Sequence, residues 1–205
     1  ARAAYEWTDD NELKLELSAT TDKKTVVNLT NHTYWNLAGH NSGSVLGNTM
    51  RLNASRYLPT DEVQIPTGEL ALVAGTPMDF TVEKEIGRDI KADFEALRIG
   101  KGYDHCWVID GYRPGEMALA AVLCDKRSGR VLEISTDQPG VQAYTGNWLG
   151  GSPANKAGRS YDDYDGVAIE CQGFPNSPNT PSFPSTLLAP GERYVRHIVF
   201  KFSVK

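Results

Sequence analysis

Apolar and polar residues alternate with period two along much of this chain. Leu13-Lys14-Leu15-Glu16-Leu17-Ser18-Ala19 is the cleanest stretch, and the turn-forming Asp9-Asp10-Asn11 joins it to a second run, Ala3-Ala4-Tyr5-Glu6-Trp7. That pairing predicts a hairpin. Further strand-like runs cover residues 25–29, 48–52, 106–109, 118–124, 131–136, 141–144, 167–171 and 194–202, separated by turn chemistry such as Lys126-Arg127-Ser128-Gly129-Arg130. Helical periodicity is confined to a short turn at residues 93–97. The expectation is an all-β fold, a large antiparallel β-sandwich, with residues 1–205 in one domain.

Composition narrows the partners. A formal net charge of -5 and the lack of any Lys/Arg cluster argue against a nucleic-acid surface. No apolar run approaches the roughly 18 residues that a membrane span requires. The three cysteines (Cys106, Cys124, Cys171) have no Cys-x-x-Cys spacing and read as reduced packing residues, which favours a cytoplasmic protein. The four histidines (His32, His40, His105, His197) lack the close spacings of zinc sites, so no metal is expected.

One carboxylate stands in apolar company. Val167-Ala168-Ile169-Glu170-Cys171 reads as a buried strand, and the prolines and asparagines of Phe174-Pro175-Asn176-Ser177-Pro178-Asn179 force the chain out of it. Burial there raises the affinity of Glu170 for a proton, which suits a general base working near neutral pH. A paired structural glutamate would give the same pattern.

Three further segments carry polar chemistry. In Asn28-Leu29-Thr30-Asn31-His32-Thr33-Tyr34-Trp35-Asn36, the residues Asn28, Thr30, His32, Tyr34 and Asn36 share a face if the segment is extended. Such a stripe lines a polar pocket, with His32 as proton donor and Tyr34 as aromatic wall, or else a solvated strand face. Gly100-Lys101-Gly102-Tyr103-Asp104-His105 delivers an acid to the start of a strand, where Asp104 serves as a ligand-binding or a turn aspartate; His105 falls on the opposite face and reads as structural. In Val141-Gln142-Ala143-Tyr144-Thr145-Gly146-Asn147-Trp148, Gln142 and Tyr144 share a face, and Trp148 reads as a stacking or a packing residue.

Taken in order, these four motifs resemble the aldose 1-epimerase (galactose mutarotase) family over nearly the whole chain. The resemblance implies a β-sandwich that interconverts the α and β anomers of free hexoses such as galactose and glucose. It implies His32 as general acid, Glu170 as general base, and Asp104, Gln142 and Tyr34 at the sugar, with no cofactor. The family pattern also includes an Asn-Arg pair and another histidine earlier in the chain, which no segment here matches. The expected sandwich is thus incomplete at its N-terminal side, and a companion chain carrying the remaining half is the corresponding partner. Two other classes stay open on the residues alone: a non-catalytic carbohydrate-binding sandwich, and a glycoside hydrolase using Glu170 and Asp104 as paired carboxylates.

Overall fold

In the computed structural model, which describes residues 1–205, the alternating runs become two stacked antiparallel sheets. The first has seven strands in the order β1 (Arg2–Trp7), β2 (Glu12–Ala19), β15 (Tyr194–Val204), β11 (Arg130–Thr136), β10 (Ala118–Cys124), β5 (Thr49–Leu52) and β8 (Lys84–Glu85). The second has six: β4 (Tyr34–Trp35), β13 (Val167–Gln172), β12 (Gly140–Tyr144), β9 (Asp104–Val108), β6 (Arg56–Tyr57) and β7 (Ala71–Leu72). A small ribbon pairs β14 (Leu187–Leu188) with β3 (Thr25–Val26). No helix is long and apolar enough to cross a membrane.

Alternation decides what each face meets. Leu15 and Leu17 of β2, Leu132 and Ile134 of β11, and Ile198 and Phe200 of β15 face Trp107, Val141, Ala143, Val167, Ile169 and Cys171 of the second sheet in one core. Fully burying side chains of this size contributes roughly 1.5–3 kcal/mol each. The second sheet is thereby fixed from behind, and its other face is left for Asp104, Cys106, Gln142, Tyr144, Ala168 and Glu170. A satellite cluster of Leu58, Cys106, Phe174 and Phe183 packs on that outer face.

Several boundaries differ from expectation, each for a local reason. The run at 25–29 forms a strand only over Thr25–Val26, with one further backbone rung from the Val27 N–H to the Thr186 carbonyl (2.9 Å). Beyond it, side chains replace backbone as the rungs: Asn28 Nδ2 donates to the Gly173 carbonyl (3.0 Å), Gly173 N–H donates to Asn28 Oδ1 (2.8 Å), and Thr30 Oγ1 donates to the Cys171 carbonyl (2.8 Å). The polar stripe therefore does not line one pocket as a unit. Asn28 and Thr30 tie the segment to β13, and Asn36 Nδ2 holds the carbonyls of Gly43 and Asp165. The short helix lies over Glu95–Gly100, a little later than residues 93–97, and ends on Lys101 in the left-handed region (φ 57°).

Asp104 belongs to β9 and not to the loop ahead of it. Its place depends on an interlock between the Gly102-Tyr103 and Thr145-Gly146-Asn147 motifs. Tyr103 N–H donates to Thr145 Oγ1 (3.1 Å), and the fully buried Asn147 amide donates to the carbonyls of Gly100 (2.6 Å) and Tyr103 (3.0 Å). Gly102 sits at φ +147°, and a Cβ there would stand 2.7 Å from Asn147 Oδ1, so only glycine fits the close approach.

The side-chain rungs generate a prediction. Asn28→Ala removes two hydrogen bonds that fasten the segment leading to His32, and is expected to lower unfolding free energy by about 1–3 kcal/mol in chemical denaturation. An unchanged midpoint would show that the segment is held by its packing alone.

Candidate functional site

The outer face of the second sheet is laid out by strand register. Gln142 lies opposite Glu170 on one side and Cys106 on the other, while Tyr144 lies opposite Ala168 and Asp104. On the far side of β13, Tyr34 pairs with Ala168, and the side-chain rungs carry His32 to the level of Glu170. Two rows result, His32·Glu170·Gln142 and Tyr34·Ala168·Tyr144·Asp104. The small Ala168 leaves room for the Tyr34 and Tyr144 rings to meet edge to face at 6.1 Å.

His32 Nε2 is 3.5 Å from Glu170 Oε1. The imidazole is half exposed and the carboxylate nearly buried, at 50% and 11% side-chain exposure. Tyr34 packs against His32 at a tilt of 46° with centroids 5.0 Å apart, and Tyr144 meets it edge-on at 6.3 Å, so two aromatic rings flank the imidazole. Burial pushes Glu170 above the ordinary carboxylate range; an opposing pull comes from His32 and a further push from Asp104.

Asp104 is held by two amides. Gln142 Nε2 donates to its Oδ1 at 2.7 Å, and Gln64 Nε2 donates to its Oδ2 at 3.4 Å. Burial still raises its proton affinity against these donors and the nearby His32. Gln142 Oε1 is buried with no hydrogen-bond partner, an acceptor left open at the site.

These groups line an open cavity of about 310 Å³ together with Leu58, Thr60, Pro66 and Pro175. Its polar lining is the carboxylates of Asp104 and Glu170, the imidazoles of His32 and His105, the amides of Gln64, Gln142 and Gln172, and the hydroxyls of Thr60 and Tyr144. Such a set can donate to and accept from a polyhydroxylated molecule and can move protons between two of its oxygens. No three His, Cys, Asp or Glu side chains converge as a metal site would require.

Of the residues expected from sequence, His32, Glu170, Asp104 and Gln142 meet in this cavity. Tyr34 does not line it but touches two residues that do, His32 and Tyr144, and lines a neighbouring pocket with Trp35, Leu149 and Tyr161. Trp148 lies outside the cavity, mostly exposed, with Lys101 Nζ 4.5 Å over its ring and its backbone N–H donating to Tyr144 Oη (3.2 Å). His105 is buried against Tyr57 and Trp107, and burial pushes its pKa down to about 4. Sequence reasoning missed the loop between Leu58 and Thr67, which supplies Thr60, Gln64 and Pro66. Its only signal was the turn chemistry around Asp61 and Pro66.

Known proteins of the same shape and sequence pattern share this arrangement of strands. The chain is 42% identical over 196 residues to galactose mutarotase from Homo sapiens, an alignment covering 96% of this chain and 55% of the relative. It is 37% identical over 204 residues to aldose 1-epimerase from Escherichia coli K12, covering 98% and 58%. The chain thus spans a little over half the length of these curated relatives. Among solved structures, an aldose epimerase homologue from C. elegans superposes with a TM-score of 0.85 at 30% identity, covering 98% of this chain and 59% of that one. Galactose 1-epimerase from Lactobacillus acidophilus NCFM gives 0.82 at 31%, covering 98% and 56%. The family model for aldose 1-epimerase matches residues 1–201, and the chain belongs to that family.

Proposed function

We propose that this chain carries the acid, the base and part of the sugar-binding wall of an aldose 1-epimerase acting on free hexoses such as galactose and glucose. The observation that carries the reading is the 3.5 Å approach of His32 Nε2 to Glu170 Oε1 in a cavity that also holds Asp104 and Gln142. The two oxygens that lose and gain protons in anomerisation, the anomeric hydroxyl and the ring oxygen, are bonded to one carbon. Acid and base must therefore sit side by side.

Glu170 takes the proton of the anomeric hydroxyl as the carbon–oxygen double bond forms. The bond from that carbon to the ring oxygen breaks, and protonated His32 gives its proton to the ring oxygen. Rotation of the aldehyde by a half-turn and closure on its other face yields the second anomer. On closure His32 recovers its proton from the attacking hydroxyl, and Glu170 returns its own to the aldehyde oxygen. Burial of Glu170 supports its part, because a carboxylate of raised proton affinity is a stronger base near neutral pH. Asp104 and Gln142 are assigned to sugar hydroxyls, and Tyr34 to holding the face of His32.

A glycoside hydrolase would need Asp104 as a second working acid or base. Both of its oxygens accept from amides, which favours a binding role. A companion polypeptide completing the domain is proposed too. The half-exposed His32 side of the cavity and the exposed Tyr5 and Trp7 on β1 support it. Unpaired Cys106 and Cys171, both buried, support a reducing, cytoplasmic compartment.

Two predictions follow from the roles given to Glu170 and His32. In polarimetry on freshly dissolved α-D-galactose, Glu170→Gln and His32→Ala are each expected to reduce catalysed exchange by about 10²-fold or more, while Glu170→Gln still binds the sugar. Unchanged turnover in Glu170→Gln would reject the mechanism and leave a binding module. The second concerns stability. Because the folded state raises the proton affinity of Glu170, it binds that proton more tightly than the unfolded chain does. The contribution of this group to stability therefore falls as pH rises from the ordinary carboxylate range through the raised folded value. Glu170→Gln is expected to gain about 0.5–2 kcal/mol at pH 8 and less at pH 4 in chemical denaturation. A loss at pH 8 would contradict a desolvated, unfavourably placed carboxylate.

A further inference from the structure

The loop missed in the sequence is braced by its own hydrogen bonds. Thr60 bridges to Pro66, Thr67 N–H donates to the Pro59 carbonyl (2.9 Å), and Asp61 N–H donates to the Ile65 carbonyl (2.9 Å). Inside this frame Asp61 Oδ1 accepts from the N–H groups of Val63 (3.0 Å) and Ile65 (2.9 Å). Asn176 Nδ2 ties the whole loop to the segment after β13 by donating to the Pro66 carbonyl (3.2 Å).

At its tip Gln64 adopts the left-handed conformation, with φ 64°, which is uncommon for a residue with a side chain. The consequence is directional. Val63 and Ile65 on either side are exposed, at 70% and 47%, whereas Gln64 is half-buried, turns into the cavity and reaches Asp104 Oδ2. Gln142 approaches the same carboxylate from the sheet, at Oδ1. Two amides from unrelated parts of the fold thus grip one carboxylate, one on each oxygen.

We propose that Gln64 is a positioning residue for Asp104: with Gln142 it fixes the carboxylate plane so that the remaining lone pairs face the cavity and meet sugar hydroxyls. The role rests on the proposed function for its biological use, but the grip itself is a property of the free protein. Other titratable groups around Asp104 are His32 ahead of β4, Glu170 on β13, Tyr144 on β12, Tyr34 on β4 and His105 on its own strand. None of them donates to Oδ2, so that oxygen depends on Gln64.

The test is a carbon-13 NMR titration of the Asp104 carboxyl in the full chain, in the wild type and in two variants. Gln64→Leu keeps the bulk and removes the donor; its midpoint is expected about half to one pH unit higher. Gln64→Lys supplies a charged donor, and its midpoint is expected to fall. A midpoint unmoved in Gln64→Leu, or moved the same way by both variants, overturns the proposal, since a loop that acts only through folding would not reverse sign. In polarimetry, Gln64→Leu is expected to raise KM for galactose about three- to tenfold with a smaller change in kcat. A fall in kcat with KM unchanged would likewise overturn the role. The NMR measurement needs no turnover, so the positioning role stands or falls on these midpoints whether or not the chain exchanges anomers, and the loss of exchange in Glu170→Gln tests the proposed function separately.

Discussion

The antiparallel pairing of β13 with β12 is the constraint on which the cavity rests. Along β13, Val167, Ile169 and Cys171 enter the core, and the period of two obliges Ala168 and Glu170 to face the other way. Shifting the pairing by one residue would place Glu170 among the core side chains and Ile169 in the cavity. Core burial on one face therefore fixes the carboxylate on the other. The same registry sets Gln142 beside Glu170, and through β9 sets Asp104 beside Tyr144.

Strand alternation was legible because it is local. Glu170 and Gln142 could be assigned to one face of their strands from the chain alone, since each sits in a short run whose two faces differ. The stripe from Asn28 to Asn36 was read too simply. Its alternation is real, but Asn28 and Thr30 spend their polar groups on the β13 backbone, a long-range pairing that no local pattern encodes. Asp104 entered a strand instead of a loop because Asn147, more than forty residues downstream, fastens the chain just ahead of it. Gln64 was invisible for the same reason: its neighbours read as an ordinary turn, and its significance lies in reaching an acid from another strand.

Electrostatics and packing pull against each other here. Leu58, Cys106, Phe174 and Phe183 give the outer face an apolar flank, while Val167, Ile169 and Cys171 back it from the core. Burial raises the proton affinity of both Glu170 and Asp104, and the two differ in what answers it. Glu170 has an imidazole at 3.5 Å, a partner that can itself take or give a proton. Asp104 has two amides, which donate hydrogen bonds but do not titrate. Under the proposed function this division separates a group that moves protons from a group that holds hydroxyls.

The claim that the outer face of the second sheet is the sugar site is tested most directly by mapping bound galactose. Titrating D-galactose into the isotopically labelled chain is expected to move the NMR signals of His32, Asp104, Gln142 and Glu170 together, along one saturation curve. The separate pocket lined by Tyr112, Arg193 and Arg196 is expected to stay unchanged. Saturable shifts confined to that pocket, or to any face without Glu170, would contradict the account.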